Sequence, residues 1–144
     1  ADDLGPAKVR VLAYMLSRTQ FGNCVGICDF VGWNDDDIVA MVRAATGWNC
    51  SQWELVKAGE RAMTLARLFN IREGFTDRDD RLPKRFCEPF VTGPLTGVAP
   101  TAEQVEKAKR DYYEMMGWDR ETGVPSLGRA LELDIEWALA AATR

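Results

Sequence analysis

Two cysteines, Cys24 and Cys28, lie four residues apart in a glycine-containing stretch between the first two apolar segments of the sequence. Thiolates bind soft metals, and Gly26 between them lacks a Cβ, so its backbone can approach a large ligand closely. The opposing interpretation is that free cysteines are small apolar side chains, which are often buried. An iron–sulfur cluster usually needs four cysteines, and Cys50 and Cys87 are too distant to complete a self-contained motif. Spacing alone therefore leaves both interpretations open.

Other groups of residues could also take part in chemistry. Three consecutive aspartates, residues 35–37, could act in acid–base catalysis or bind a divalent cation. At a helix start such residues more often complement the helix dipole, and we adopt that structural interpretation. The charged segment 72–86 could hold an anion or fix an interdomain connection, or it could be a solvated, salt-bridged linker. The five tryptophans could stack on a cofactor, but their positions favour the core or an interface.

The composition excludes several classes of function. The chain contains no histidine, which is the commonest general base near neutral pH and the commonest protein metal ligand. A Ser-His-Asp or Cys-His hydrolase therefore cannot be built within this chain, and neither can a zinc site that uses histidine. The net charge is −4 and the basic residues are interleaved with acidic ones, so nucleic acid is not expected as a partner.

The expected location is the cytoplasm. No apolar stretch is long enough to cross a bilayer, so we expect no membrane partner. No N-terminal segment resembles a secretion signal. A chain of this length does not need disulfides for stability, so the four cysteines are expected to be reduced.

The hydrophobic pattern predicts that residues 1–144 form a single all-α domain, an irregular helical bundle with long ordered loops. Val9, Leu12, Ala13 and Leu16 recur at the spacing of one helix face. They predict a first helix from about residue 6 to about residue 18, followed by a loop over residues 21–30. No useful length of sequence alternates with the period of a strand.

Capping residues predict where the later helices begin. The N-terminal caps are Asn34 for the second helix, Ser51 with Glu54 for the third, Thr101 with Gln104 for the fourth and Ser126 for the fifth. The third helix should end near Gly74, and a last helix should span residues 134–142. Four of the six prolines fall between residues 83 and 100, so residues 75–100 are predicted to be an ordered irregular segment.

Several colinear segments of the chain form a recognisable pattern. They are Ala45-Thr46-Gly47-Trp48, Gly59-Glu60-Arg61, and residues 65–76, 79–86 and 111–125. This pattern resembles the aldehyde ferredoxin oxidoreductase family, and the resemblance extends from about residue 8 to about residue 133. It implies the fold of the last helical domain of that family, so that the chain would be a fragment of a larger multidomain oxidoreductase.

The resemblance also implies cofactors and partners. Family members hold tungsten, or less often molybdenum, between two pterin dithiolenes (tungstopterin or molybdopterin) beside a [4Fe-4S] cluster. They oxidise aldehydes to carboxylic acids and pass electrons through the cluster to ferredoxin. The remaining domains of the same chain would supply three of the four cluster cysteines and much of the pterin pocket. The isolated domain is therefore expected to be inactive, to hold neither cofactor alone, and to self-associate through exposed apolar surface.

One family motif, D-x-x-G-L-C, falls on residues 23–28 of this chain. By this resemblance Cys28 is the candidate [4Fe-4S] ligand, and Asn23, Gly26 and Ile27 are candidate pterin-binding residues. Ile27 in place of leucine is a mild change. Asn23 replaces a carboxylate with an amide that has one accepting and one donating face, so the pterin contact there should be weaker. Cys24 matches no ligand position and is expected to be a buried small residue.

A second hypothesis is a non-catalytic helical interaction module of the same fold that has lost its cofactors. The asparagine at position 23 keeps this alternative open. A C-x-x-C-x-x-x-C sequence upstream in the full polypeptide would support the enzyme, and its absence would favour the module.

Overall fold

Six α-helices make up most of residues 3–142, the part of the chain that the computed structural model describes. The helices are α1 Pro6–Val25, α2 Asp35–Thr46, α3 Gln52–Arg72, α4 Ala102–Met115, α5 Leu127–Glu132 and α6 Glu136–Ala142. Short 3₁₀ turns span Asp29–Val31 and Lys84–Cys87. Within residues 3–142, β geometry is limited to two isolated bridges, Phe90 with Thr96 and Trp118 with Pro125. The prediction of an all-α fold is confirmed.

The first helix is longer than the sequence pattern indicated. It runs from Pro6 to Val25, so the prediction that it ends near Arg18 and gives way to a loop at Phe21 is wrong. A glycine inside a helix costs only about 1 kcal/mol, and Gly22 is buried in the helix rather than ending it. Phe21 is held in the core from a helical position, and burial there outweighs the weak helix preference of its neighbour.

The buried face of α1 also differs from the predicted one. Four residues spaced by four face the interior, namely Val9, Ala13, Ser17 and Phe21. Leu12 and Leu16, which the periodicity placed in the core, are exposed. Residues spaced by four form a continuous ridge on a helix, and here this ridge is the one that packs into the interior. The neighbouring ridge with Leu12 and Leu16 therefore lines an open groove beside α4.

The crossing of α1 and α3 depends on Gly59. A Cβ added to Gly59 would lie 1.9 Å from the carbonyl oxygen of Ser17 and 3.1 Å from the backbone nitrogen of Phe21. Because no side chain fits that space, the two helices approach closely only where α3 carries a glycine. This contact brings α3 against the backbone of α1 between Ser17 and Phe21.

The predicted N-terminal caps are confirmed. Asn34 accepts a hydrogen bond from the N–H of Asp37 at 2.9 Å, and Ser51 and Thr101 each form a complete capping box. Ser126 caps α5. The third helix ends at Arg72 and the last begins at Glu136, each two residues inside its predicted bound. Residues 75–100 are irregular except for the 3₁₀ turn.

Three clusters of buried side chains form the core of the described residues. The first contains Phe21, Ile38, Val42, Cys50 and Leu55; the second contains Leu68, Ala130, Leu133, Ile135 and Ala138; the third contains Ala13, Tyr113, Met116 and Trp118. The first cluster lies under the end of α1. Of the tryptophans, Trp118 is buried and Trp33, Trp48, Trp53 and Trp137 are exposed. Among the described helices, none has the length and apolar character needed to cross a membrane.

A buried arginine fastens the charged segment 72–86 to the body of the domain. Arg67 Nε and Nη2 donate to the carbonyl oxygens of Gly123 and Thr122 at 2.9 and 3.1 Å. Arg67 Nη1 lies 2.6 Å from Asp80 Oδ2, which also accepts a hydrogen bond from the hydroxyl of Tyr113. The charged segment is therefore held by an ion pair at Asp80, which gives this residue a structural role.

Candidate functional site

The candidate site is the turn that ends α1. Gly26 has a left-handed backbone conformation with φ 73°, which glycine adopts without the steric cost that other residues incur. Its N–H donates to the carbonyl of Asn23 at 3.3 Å, and the N–H of Ile27 donates to the carbonyl of Gly22 at 3.0 Å. These two bonds form a Schellman ending, which satisfies the last carbonyls of the helix and gives the turn one defined shape.

Cys28 follows this turn and is exposed. Its backbone is extended, and its carbonyl accepts the N–H of Val31 at 3.3 Å, so it begins the 3₁₀ turn. A thiol in this position can bind a metal that lies outside the surface of the described residues. An iron ligand shared with another part of the polypeptide must be accessible at the surface. Cys28 is accessible in this way, whereas a sulfur buried in the interior would not be.

The four predicted cofactor-binding residues lie within one turn and differ in their roles. Ile27 packs against the first core cluster, so its side chain anchors the turn from inside. Asn23 and Gly26 are exposed. Among the described residues, no atom beyond the immediate neighbours of Gly26 lies within 4 Å of the position that its Cβ would take. The backbone face of Gly26 is therefore open to a flat ligand.

The prediction that Cys24 is a buried small residue is wrong. Cys24 is exposed, like Cys28 and Cys87, and all three are free thiols, as is the buried Cys50. The reason is the length of α1, because its last turn continues past Phe21, the last core residue of the helix. Exposure therefore does not distinguish Cys24 from Cys28, and the motif alone selects Cys28.

The segment after Cys28 is held at its far end by Arg18. Arg18 Nε lies 2.5 Å from Asp35 Oδ1, and its Nη2 donates to the carbonyl of Trp33 at 2.9 Å. Gln52 donates a further hydrogen bond to Asp35. The first of the three aspartates therefore joins α1, α2 and α3, which agrees with the structural interpretation of residues 35–37.

Cys28 fits the role of one iron ligand among several. Within residues 3–142, no group of three or more Cys, His, Asp or Glu side chains is arranged to hold a metal ion. A [4Fe-4S] cluster is usually held by four thiolates. The donor chemistry and exposure of Cys28 suit one of those four positions, and the open backbone at Gly26 suits the edge of a large planar group.

Sequence reasoning missed a group of exposed apolar side chains that lie close to the candidate ligand in the sequence. It consists of Val25, Phe30, Val31 and Trp33, all exposed, and Phe30 is 100% exposed. The sequence carried only a weak signal: Phe30 ends the predicted loop over residues 21–30 and Val31 follows it, and a loop sequence does not show whether apolar side chains turn inward.

Comparison with known proteins identifies the family. The family model described as "Aldehyde ferredoxin oxidoreductase, domains 2 & 3" matches residues 2–135. The chain belongs to the aldehyde ferredoxin oxidoreductase family. The family resemblance inferred from the sequence segments is thereby confirmed.

Curated relatives of this aldehyde ferredoxin oxidoreductase family member are much longer than the chain. The tungsten-containing aldehyde ferredoxin oxidoreductase of Pyrococcus horikoshii is 34% identical over 128 residues, which is 85% of this chain and 20% of the relative. The enzyme of the same name from Pyrococcus furiosus is 35% identical over 127 residues, with the same two shares, 85% and 20%. This chain thus spans about a fifth of the length of these relatives.

A third relative carries a different substrate in its name. The aliphatic sulfonate oxidoreductase, WOR-like subunit, of Pyrococcus furiosus is 36% identical over 109 residues, which is 69% of this chain and 17% of the relative. Membership of the aldehyde ferredoxin oxidoreductase family therefore does not by itself determine the substrate.

Proposed function

We propose that this chain is the C-terminal helical domain of a cytoplasmic tungsten- or molybdenum-pterin aldehyde oxidoreductase. The full-length enzyme oxidises aldehydes to carboxylic acids and passes the electrons through a [4Fe-4S] cluster to ferredoxin. The observation that carries this proposal is the exposed thiol of Cys28, on a turn of defined shape, in a member of this family. The isolated domain is inactive, because one thiolate cannot hold a four-iron cluster.

The residues of the turn bind and orient the cofactors. The Cys28 thiolate binds one iron, and the backbone of Gly26 and Ile27 forms part of the wall against the pterin. When bound, the metal–pterin group and the cluster supply the redox chemistry. Residues 23–28 would therefore contact both groups from a single turn.

Asn23 makes a weaker pterin contact than a carboxylate would, but it suits its place in the helix. It lies in the last turn of α1, where the helix dipole disfavours negative charge by roughly 0.3–1 kcal/mol. A neutral amide avoids that cost. It still offers one hydrogen-bond acceptor and donors to a ligand, although it lacks the charge assistance of a carboxylate.

The experiment that tests this function is metal and activity analysis of the full-length protein, purified without oxygen. We expect a brown protein with tungsten or molybdenum, a pterin, and about four irons for each cluster. Addition of an aldehyde should reduce ferredoxin and yield the matching carboxylic acid, and a sample without aldehyde is the control.

Two results would contradict the proposal in different ways. A folded, colourless full-length protein without iron or pterin would favour the non-catalytic interaction module. A brown protein that oxidises an aliphatic sulfonate and no aldehyde would retain the cofactors of the proposal and refute its substrate.

A further inference from the structure

We infer that Arg18 is a positioning residue for the iron ligand. Its guanidinium ties the far end of the loop of residues 28–33 back to α1, and the closed loop presents the Cys28 thiolate in one orientation. This inference rests on the proposed function, because it assigns a role toward the proposed iron site.

The loop of residues 28–33 is not held by core packing. All six of its residues are exposed, and none of them belongs to a buried cluster of the described residues. Ile27 packs against the core just before the loop, and the next buried residue along the chain is Ile38 in α2. Polar contacts must therefore determine the shape of the loop.

Arg18 supplies the contact that closes the loop. It lies in α1 seven residues before Val25, where the helix ends, which is about 10 Å back along the helix axis. Its Nη2 donates to the carbonyl of Trp33 at 2.9 Å, and its Nε lies 2.5 Å from Asp35 Oδ1. The chain that leaves α1 at Gly26 is thus fastened to the same helix again directly after the loop.

This closure extends to Cys28 itself. The two contacts of Arg18 use two nitrogens of one planar guanidinium, which fixes the angle between them. Gln52 of α3 also donates to Asp35, so the carboxylate is held from a third helix. Within the loop, the N–H of Val31 donates to the carbonyl of Cys28 at 3.3 Å. A shift of the loop end therefore moves a bonded turn that includes the candidate ligand.

The effect of losing Arg18 should be local. The side chains of Arg18 and Asp35 are 39% and 35% exposed, and ion pairs with this exposure add little to the stability of a fold. Without the guanidinium, the loop is freed while the helices keep their places. The potential of an iron–sulfur cluster depends on its exposure to solvent and on hydrogen bonds to its sulfurs. A loosened ligand loop should therefore alter the cluster rather than the fold.

The test compares Arg18→Met with Arg43→Met in the full-length protein, purified without oxygen. Arg43 is the matched control, because its Nε donates to the carbonyl of Cys50 at 2.9 Å and so holds a neighbouring loop in a similar way. We would measure the rate at which an iron chelator removes the cluster iron. Arg18→Met should lose iron about tenfold faster than the parent, as is usual when a residue that orients a metal ligand is removed. Arg43→Met should match the parent.

The midpoint potential of the cluster separates positioning from a direct effect of charge. A freed loop admits water, which stabilises the more negative, reduced cluster, so the potential of Arg18→Met should rise. We expect a change of about tenfold in the reduction equilibrium, which is about 59 mV for a one-electron couple. Loss of the positive charge alone would lower the potential, because a nearby cation also stabilises the reduced cluster.

Arg18→Lys provides a second variant if Arg18→Met yields no intact protein. A single ammonium is a compact point charge and does not reproduce two donors at a fixed angle. Arg18→Lys should therefore still lose iron faster than the parent, and a parental rate in this variant would overturn the inference.

Each contrary result has a separate meaning. A brown parent whose iron loss and potential are unchanged in Arg18→Met overturns this inference and leaves the proposed function standing. Equal acceleration in Arg43→Met also overturns it, since the effect would then follow from stability. A lower potential in Arg18→Met overturns it in favour of a charge effect. A parent without a cluster overturns the proposed function, and this inference with it.

Discussion

Replacement of Gly59 by alanine tests the α1–α3 crossing on which the position of Cys28 depends. The added Cβ would lie 1.9 Å from the carbonyl oxygen of Ser17. Heavy atoms in contact are normally about 3.5 Å apart, so α1 must move by roughly 1.6 Å. The obstacle is backbone, which cannot rotate aside as the tip of a long side chain can.

The expected loss of stability follows from two opposing effects. Overpacking in a core costs about 1–3 kcal/mol and occasionally more, and a clash with backbone belongs at the upper end. Alanine in place of glycine within a helix regains up to about 1 kcal/mol. We expect a net loss of about 2 kcal/mol, which is a substantial part of the roughly 5–15 kcal/mol that holds a domain folded.

Urea unfolding of the chain, followed by helical circular dichroism, measures this loss. With a slope of about 2 kcal/mol per molar, the unfolding midpoint should fall by about 1 M. Gly128→Ala is the matched control, because Gly128 is exposed in α5 and its nearest neighbour is Ser126 Oγ at 4.0 Å. Its midpoint should stay the same or rise. A Gly59→Ala midpoint at or above that of the parent would refute the close crossing.

Three further predictions concern the buried network and the exposed surface. Arg67→Met should lower the free energy of unfolding by about 3 kcal/mol in the same assay, because it leaves two carbonyls and Asp80 without their charged donor; an unchanged midpoint would contradict this. Burial and the hydrogen bond to Asp80 raise the pKa of Tyr113, and burial raises the pKa of Tyr112 to about 12. Both phenols should therefore stay neutral in the folded chain while they ionise in the unfolded chain, so stability present below about pH 10 should decrease above it. Tyr113→Phe should reduce this alkaline loss in urea midpoints measured at several pH values, and equal losses would contradict it. The isolated domain should self-associate in sedimentation velocity, and a monodisperse monomer would count against that expectation.

Local signals in the sequence were sufficient for the helix starts. A cap such as Ser51 with Glu54 involves only neighbouring residues, so its geometry follows from the sequence around it. The end of α1 was not predictable in this way. Gly22 and Gly26 are both glycines, and only tertiary packing of Phe21 determines that the helix passes the first and stops at the second.

The choice of buried face also required the partner helix. Residues 9–16 are apolar on several sides, so periodicity alone could not select the ridge that packs. That choice is made by Gly59, which lies on α3 and admits the ridge of Ser17. The exposure of Cys24 follows from the same cause, since a longer helix carries it beyond the core.

The residues of the candidate site could be predicted from a sequence motif, but the exposure of the side chains around them could not. The order of Asn23, Gly26 and Cys28 matches a motif of the family that the other segments resemble, and the structure places all three, exposed, in one turn. The exposure of the apolar side chains near Cys28 was only weakly signalled, because a loop sequence does not show whether its aromatic side chains turn inward. Burial of Arg67 was equally hidden, since it depends on carbonyls from residues 122 and 123, far along the chain.

The iron content of two variants of the full-length protein tests whether Cys28 is the iron ligand. Cys28→Ser and Cys24→Ser each remove one exposed thiol from the same turn. Cys28→Ser should lose most of the cluster iron and the brown colour, whereas Cys24→Ser should keep both. Full iron content in Cys28→Ser, or an equal loss in both variants, would contradict it.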